Sequence, residues 1–257
     1  MEKIKNSKGF LFDLDGVFIQ SGKLLPGALE TYNVLKSSKI PFRFLTNTTT
    51  KSRNTLHKFL YDIGLKCNQR EIISAGYSGV EALKEMGSPT CYFYISDDLK
   101  KDYHRFIESK TPDVIVIGDY QQWNYELLNQ AFLQVMHGAK IIALNSDRFY
   151  MINSDMKLDT GAFVKALEFA TGVKAHLVGK PNSTFFQTAL NDLKLAPKDV
   201  LMVGDDLISD IDGAQKSQIS GIIVKTGKFN STMLESSSIE PDGIIDSIGD
   251  IAKIIST

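Results

Sequence analysis

Short apolar runs alternate with amphipathic stretches along nearly the whole chain, and this rhythm constrains the fold more than any other feature. FLFDL (10–14), PFRFLTN (41–47), TCYFYIS (90–96), DVIVIGD (113–119) and KIIALNS (140–146) read as strands. AHLVGKP (175–181), DVLMVGDD (199–206), SGIIVKTG (220–227) and GIIDS (243–247) continue the series. Between them lie stretches with helical spacing, such as GALETYNVLKSSK, KSRNTLHKFLYDIGL, LKKDYHRFIESK, STFFQTALNDLKL and SDIDGAQKSQI. Strands alternating with helices pair in parallel, because a crossover helix returns the chain to the same end of the sheet. The expected class is therefore α/β with a parallel sheet. About nine strands are wide for one sheet, so two units are expected, with crossings near KEMGSPT and GVKAHLV.

Composition narrows the partners. The 257 residues are 43% apolar and 23% charged, with a net charge of −1, so no bulk field draws the chain to nucleic acid or to an anionic membrane. No run approaches the ~20 apolar residues of a membrane span, and the N-terminal residues carry no apolar leader. Cys67 and Cys91 stand far from any metal or redox spacing and read as reduced thiols. A cytoplasmic protein is expected.

Reactive side chains follow four of the apolar runs, at the strand ends where open α/β sheets bind ligands. In Asp13-Leu14-Asp15-Gly16 the two carboxylates face the same side of an extended chain. They suit a hard cation or a nucleophile with an acid–base partner, although Asp-Gly is also an ordinary turn. Thr46-Asn47-Thr48-Thr49-Thr50 offers hydroxyls and free N–H groups for phosphate, or a helix cap. Gly179-Lys180-Pro181-Asn182 holds an ammonium with little slack, or simply opens a helix. Gly204-Asp205-Asp206, with Asp210 beyond, fits a cation site, or acids favoured by a helix dipole. Carboxylate pair, threonine, lysine and a second acidic pair, in that order and each after a strand, suit a metal, a phosphate and a nucleophile together.

These four motifs in this order resemble the haloacid dehalogenase (HAD) superfamily of phosphatases. DLDGVF, PFRFLTNTTT, VGKPNSTFF, VGDDLISDIDGAQ and GIIVKTGKF resemble its NagD-like group. The resemblance spans essentially the whole chain. It implies a Rossmann-like parallel-sheet core, residues 1–81 and 177–257, with an inserted α/β cap of the C2 type at 82–176. It implies Mg²⁺ as cofactor and a small phosphorylated substrate. Asp13 would be the nucleophile that becomes phosphorylated, and Asp15 the acid and then the base. The Asp13 carboxylate, the Asp15 carbonyl and the Asp205 carboxylate would bind the metal. Thr46 and the Asn47 main chain would hold phosphate oxygens. Lys180 would neutralise charge, Asp210 would sit behind these groups, and Asp206 nearby. TNTTT departs from the Thr-Asn-Asn of many NagD-like proteins, which bears on substrate rather than chemistry. A homodimer through the cap is a further expectation of the resemblance.

Within the insert, Asp119, Asn145, Asp147, Arg148 and Tyr150 lie at strand ends. Arg148 is the preferred cation for an anionic substrate. Trp123 with Tyr120 and Tyr125 suits a helix-edge core cluster or a dimer contact through the cap rather than a stacking platform. The four histidines show no metal-ligand spacing. A phosphotransferase, or a poorly active phosphate-sensing scaffold, are the alternatives; retention of Asp15 speaks against the scaffold.

Overall fold

The computed structural model describes residues 2–152 and 155–256, without the side chains of residues 151 and 152. The chain forms two compact units, Met1–Thr46 with His57–Ile73 and Lys180–Thr257, and Asn47–Leu56 with Ser74–Gly179.

The first unit is built on a six-stranded sheet. Its order is Gly243–Ile245, Ser220–Val224, Val200–Gly204, Gly9–Asp13, Phe42–Thr46 and Ile72–Ser74. The four pairings from Gly243–Ile245 to Phe42–Thr46 are parallel. The centre strands are covered on both faces, so they read as unbroken apolar runs rather than alternating ones. Phe10, Leu11 and Phe12 are fully buried. Successive residues point to opposite faces. Leu11 therefore joins Leu45, Met202 and the Phe185, Phe186 and Leu190 side chains of the Ser183–Leu193 helix. Phe12 points the other way, against Phe18 and Phe44, with ring centroids 5.2 Å and 6.4 Å away. Each such buried ring contributes about 1.5–3 kcal/mol, which fixes the strand at whose end Asp13 stands.

The second unit carries a parallel four-stranded sheet, in the order His176–Leu177, Lys140–Ala143, Val114–Ile117 and Cys91–Tyr94. One face packs against Val80, Leu83, Leu99 and Tyr103, and the other against Ala131, Val135, Val164 and Leu167. An antiparallel pair, Phe149–Ile152 with Asp155–Leu158, was not expected. Asp155 to Leu158 are all exposed, so no buried face marks the strand.

Two further differences have clear causes. The Ala75–Glu85 helix buries Ala75, Val80 and Leu83 in the second unit's core, so this unit includes residues 74–81 as well as the expected 82–176. LKKDYHRFIESK is not one helix. It is α-helical through Lys100 and then makes a 3₁₀ turn over Lys101–Tyr103. The buried Tyr103 hydroxyl donates to the Gly76 carbonyl at 2.7 Å, and Cys91 takes up Ile107 and Ser109 through main-chain bonds of 2.8 Å each. Those bonds draw residues 107–109 alongside a strand, where a helix could not continue. Among the described residues no helix is long and apolar enough to cross a membrane.

Candidate active site

Four side chains meet in the interior of the first unit. Asp13 ends the central strand, and the neighbouring strand ends in Gly204 and hands on to Asp205. Lys180 enters from a loop, and Asp210 from a turn beyond Asp205. Lys180 Nζ donates to Asp13 Oδ1 at 2.5 Å, to Asp210 Oδ1 at 2.7 Å and to the Leu45 carbonyl at 3.3 Å. An ammonium has three hydrogens, so all three find acceptors. Exposure is 7% for Asp13, 2% for Lys180, 3% for Asp205 and zero for Asp210. Bulk water therefore screens these charges little.

The segment after Gly204 explains how Asp210 reaches the lysine. Leu207–Asp212 is π-helical, a wide turn found often at functional sites. Asp206 caps it, accepting the Ile208 and Ser209 N–H groups at 2.9 Å each. The Asp206 N–H in turn donates to Asp210 Oδ2 at 3.1 Å. Asp206 thus aims its neighbour rather than facing the cluster. Lys228 Nζ binds its other oxygen at 3.2 Å. Burial raises the Asp206 carboxyl, but Lys228 and the two N–H groups outweigh burial and hold it below its usual value.

Asp205 lies in a cradle that the sequence reading did not identify. The Lys228 N–H donates to Asp205 Oδ2 at 2.6 Å. Gly16 and Gly227 close the cradle on either side, both with positive φ (86° and 59°), and a Cβ on either would strike the Asp205 carboxylate. The Thr226 hydroxyl ties the two loops by donating to the Gly16 carbonyl. The available signal was Lys-Thr-Gly-Lys directly after the strand SGIIV, the same strand-end pattern as the four motifs.

One oxygen from each of Asp13, Asp205 and Asp210 lies within 4.8 Å of the others. Three buried carboxylates face one buried ammonium, which leaves negative charge in excess. Burial pushes the Asp13 carboxyl up, against the pull of Lys180, and the nearby Asp15 charge adds to the rise. Burial and then Asp13 and Asp210 push Asp205 well up. Burial pushes Asp210 up to about 7 despite Lys180. For Lys180, burial disfavours the charge, but Asp13 and Asp210 prevail and raise its pKa. An all-carboxylate donor set with surplus negative charge fits a hard divalent cation. The expected metal set named Asp13, Asp15 and Asp205, with Asp210 behind them. Here Asp210 lies within the same 4.8 Å of Asp13 and Asp205, brought inward by the π-helical turn.

This charge imbalance predicts a pH response. Carboxyls raised in the folded state hold protons that the unfolded chain has released, so stability falls as pH climbs from 3.8 through about 7. Metal-stripped protein should melt lower at pH 8 than at pH 5, and added Mg²⁺ should raise the melting temperature more at pH 8. Thermal melts with EDTA and with Mg²⁺ check this.

The other expected residues are distributed as follows. Asp15 is exposed, where the chain leaves the core in a loop closed by the Gly16 N–H on the Ile19 carbonyl at 2.7 Å. Thr46, 1% exposed, ends the strand beside Asp13, one residue past Leu45, the register partner of Asp13. Asn47 follows it in the chain and is half-buried. The next helix, Arg53–Asp62, is capped from Ser52. Ser52 accepts the Thr55 N–H at 3.2 Å, and Asp98 and Asp102 accept the Ser52 and Arg53 N–H groups at 2.8 and 2.7 Å.

In the second unit Arg148 is exposed, and its carbonyl accepts the Asp159 N–H at 3.2 Å. Asn145 is buried and braces the loop, donating to Asp159 at 3.4 Å and accepting the Asp147 N–H at 3.3 Å. Trp123 is stacked on both faces, by Tyr94 at 4.8 Å and by Phe163 at 5.2 Å, so the cluster reading holds and the open platform does not. Tyr125 stands apart, 78% exposed.

Known proteins resemble the chain over its full length. The haloacid dehalogenase-like hydrolase family matches residues 10–106, and the HAD-hydrolase-like family matches residues 177–251. The chain is 31% identical to human phospholysine phosphohistidine inorganic pyrophosphate phosphatase, over 99% of this chain and 96% of that protein. It is 36% identical to mouse haloacid dehalogenase-like hydrolase domain-containing protein 2, over 87% of this chain and 86% of that protein. Among solved structures it is similar to the 4-nitrophenylphosphatase of Thermotoga maritima, with a TM-score of 0.92 and 27% identity over 98% of this chain and 99% of that one.

Proposed function

Since this chain belongs to the haloacid dehalogenase-like hydrolases, as one of their NagD-like phosphatases, we propose that it hydrolyses a small phosphorylated substrate through a phosphorylated Asp13. The observation that carries this reading is the lysine held between Asp13 and Asp210 inside an otherwise all-carboxylate cluster. Phosphoryl transfer needs in-line placement and neutralised charge more than it needs covalent chemistry from the protein.

Asp13, Asp205, Asp210 and the Asp15 carbonyl are the groups available to hold Mg²⁺. When bound, that ion would offset the surplus negative charge and draw charge from the phosphoryl oxygens. The chain's own residues do the rest. Lys180 favours the ionised form of Asp13 against the effect of burial and holds it in place. The Asp13 carboxylate attacks phosphorus as the bond to the leaving oxygen breaks, and Asp15 gives that oxygen its proton. Asp15, now a carboxylate, takes a proton from water as the water attacks the phosphorylated Asp13. Inorganic phosphate leaves and the Asp13 carboxylate returns. Asp15 suits the proton role because it is exposed and outside the buried trio. The Thr46 hydroxyl and Asn47 N–H are the proposed holders of phosphate oxygens, and Arg148 the proposed contact for an anionic substrate group.

The substrates to test follow from the relatives' names: 4-nitrophenyl phosphate, pyrophosphate, phospholysine and phosphohistidine. Purified protein should release phosphate from at least one of them with Mg²⁺ and stop with EDTA. No release from any, or release indifferent to EDTA, would overturn the reading.

A further inference from the structure

The second unit contains a cavity of about 360 Å³ between the end of the Val114–Ile117 strand, the antiparallel pair and the start of the Thr160–Thr171 helix. Sites for small organic molecules span about 300–1,000 Å³, so this one has room for such a molecule. Rings of Tyr120, Trp123, Tyr150 and Phe163 supply its apolar wall. Charge of both signs stands on the wall. The Asp119 carboxylate meets the Gln121 side chain but no cation among the described residues. Lys157 stands on the same wall and pairs with no described carboxylate, Asp119 included.

The lining thus offers one negative and one positive group beside aromatic rings. A cation alone would use only Asp119, and an anion alone only Lys157. We propose that this cavity binds a small zwitterion, a free amino acid or a molecule of the same charge pattern. Its ammonium meets Asp119, where the Tyr120 and Tyr150 rings add cation–π attraction. Its carboxylate meets Lys157. Burial and the neighbouring Asp159 raise the Asp119 carboxyl, and an ammonium beside it would relieve both effects.

The test uses a reporter already in place, since Trp123 is the single tryptophan of the chain. Free L-amino acids are titrated one at a time into the full chain, with EDTA and no phosphorylated compound present, while Trp123 emission is followed. Phosphatase activity plays no part, so this result and the phosphatase reading stand or fall separately. At least one amino acid should give a saturable change, and glycerol, uncharged, should give none. Asp119→Asn and Lys157→Met should each weaken binding roughly tenfold or more, the loss typical of one charged hydrogen bond. Lys157 is exposed on its strand, so its replacement leaves the fold intact and keeps the test decisive should Asp119→Asn fail to fold. Three results would overturn the proposal: no saturable change with any amino acid, an equal change with glycerol, or wild-type affinity in Lys157→Met.

Discussion

Asp13→Asn should lower turnover by roughly four orders of magnitude or more while the protein stays folded. The amide oxygen can still accept the Lys180 hydrogen bond, so the geometry around the lysine is kept. What disappears is the negative charge that attacks phosphorus. The same change removes one of three crowded carboxylates, so the melting temperature without metal should hold or rise. Turnover of 4-nitrophenyl phosphate and a thermal melt on one preparation check both halves. Residual turnover above about a tenth of wild type would assign the attack to another group.

Lys180→Met should be the most destabilising single change at the site. Methionine fills most of the volume but leaves Asp13 and Asp210 without their ion pairs and Leu45 without its donor. Removing one partner of a buried pair costs about 3–5 kcal/mol, because the remaining charges stay out of water. Turnover should be lost as well. The pH dependence separates charge from packing. Without the ammonium the carboxyls rise further in the folded state, which then holds more protons than the unfolded chain, so stability declines with rising pH. Denaturant titrations should give a larger deficit against wild type at pH 8 than at pH 5. An equal deficit at both would mean that packing, not charge, is what Lys180 provides.

Much of the first unit was legible because its key signals are local. An apolar run followed by Asp, Thr, Lys or Gly-Asp-Asp marks a strand end, and parallel pairing brings strand ends to one edge. Which groups then touch depends on strand order and loop shape, which have no local signature. Asp210 joined the cluster through a π-helical turn, and Asp205 found its cradle through Gly16 and Gly227, 211 positions apart (227 − 16). In the second unit the antiparallel pair carried no alternation, because Asp155 to Leu158 bury neither face. The Tyr103–Gly76 bond that ends a helix is likewise a tertiary choice, one that helical spacing around it could not reveal.

The strand that ends in Asp13 also sets a timetable. Its partners are Phe42–Thr46 on one side and Val200–Gly204 on the other. The first partner follows within a few dozen residues, but Val200 is made 187 residues after Asp13 (200 − 13). At the ~5–20 residues per second of ribosomal synthesis, that is a wait of roughly 10–40 s. Through this interval one edge of the strand carries unpaired main-chain groups beside Phe10, Leu11 and Phe12, an open template for another nascent chain. A cell that makes this protein must shield that edge until the ribosome delivers the strand that closes it.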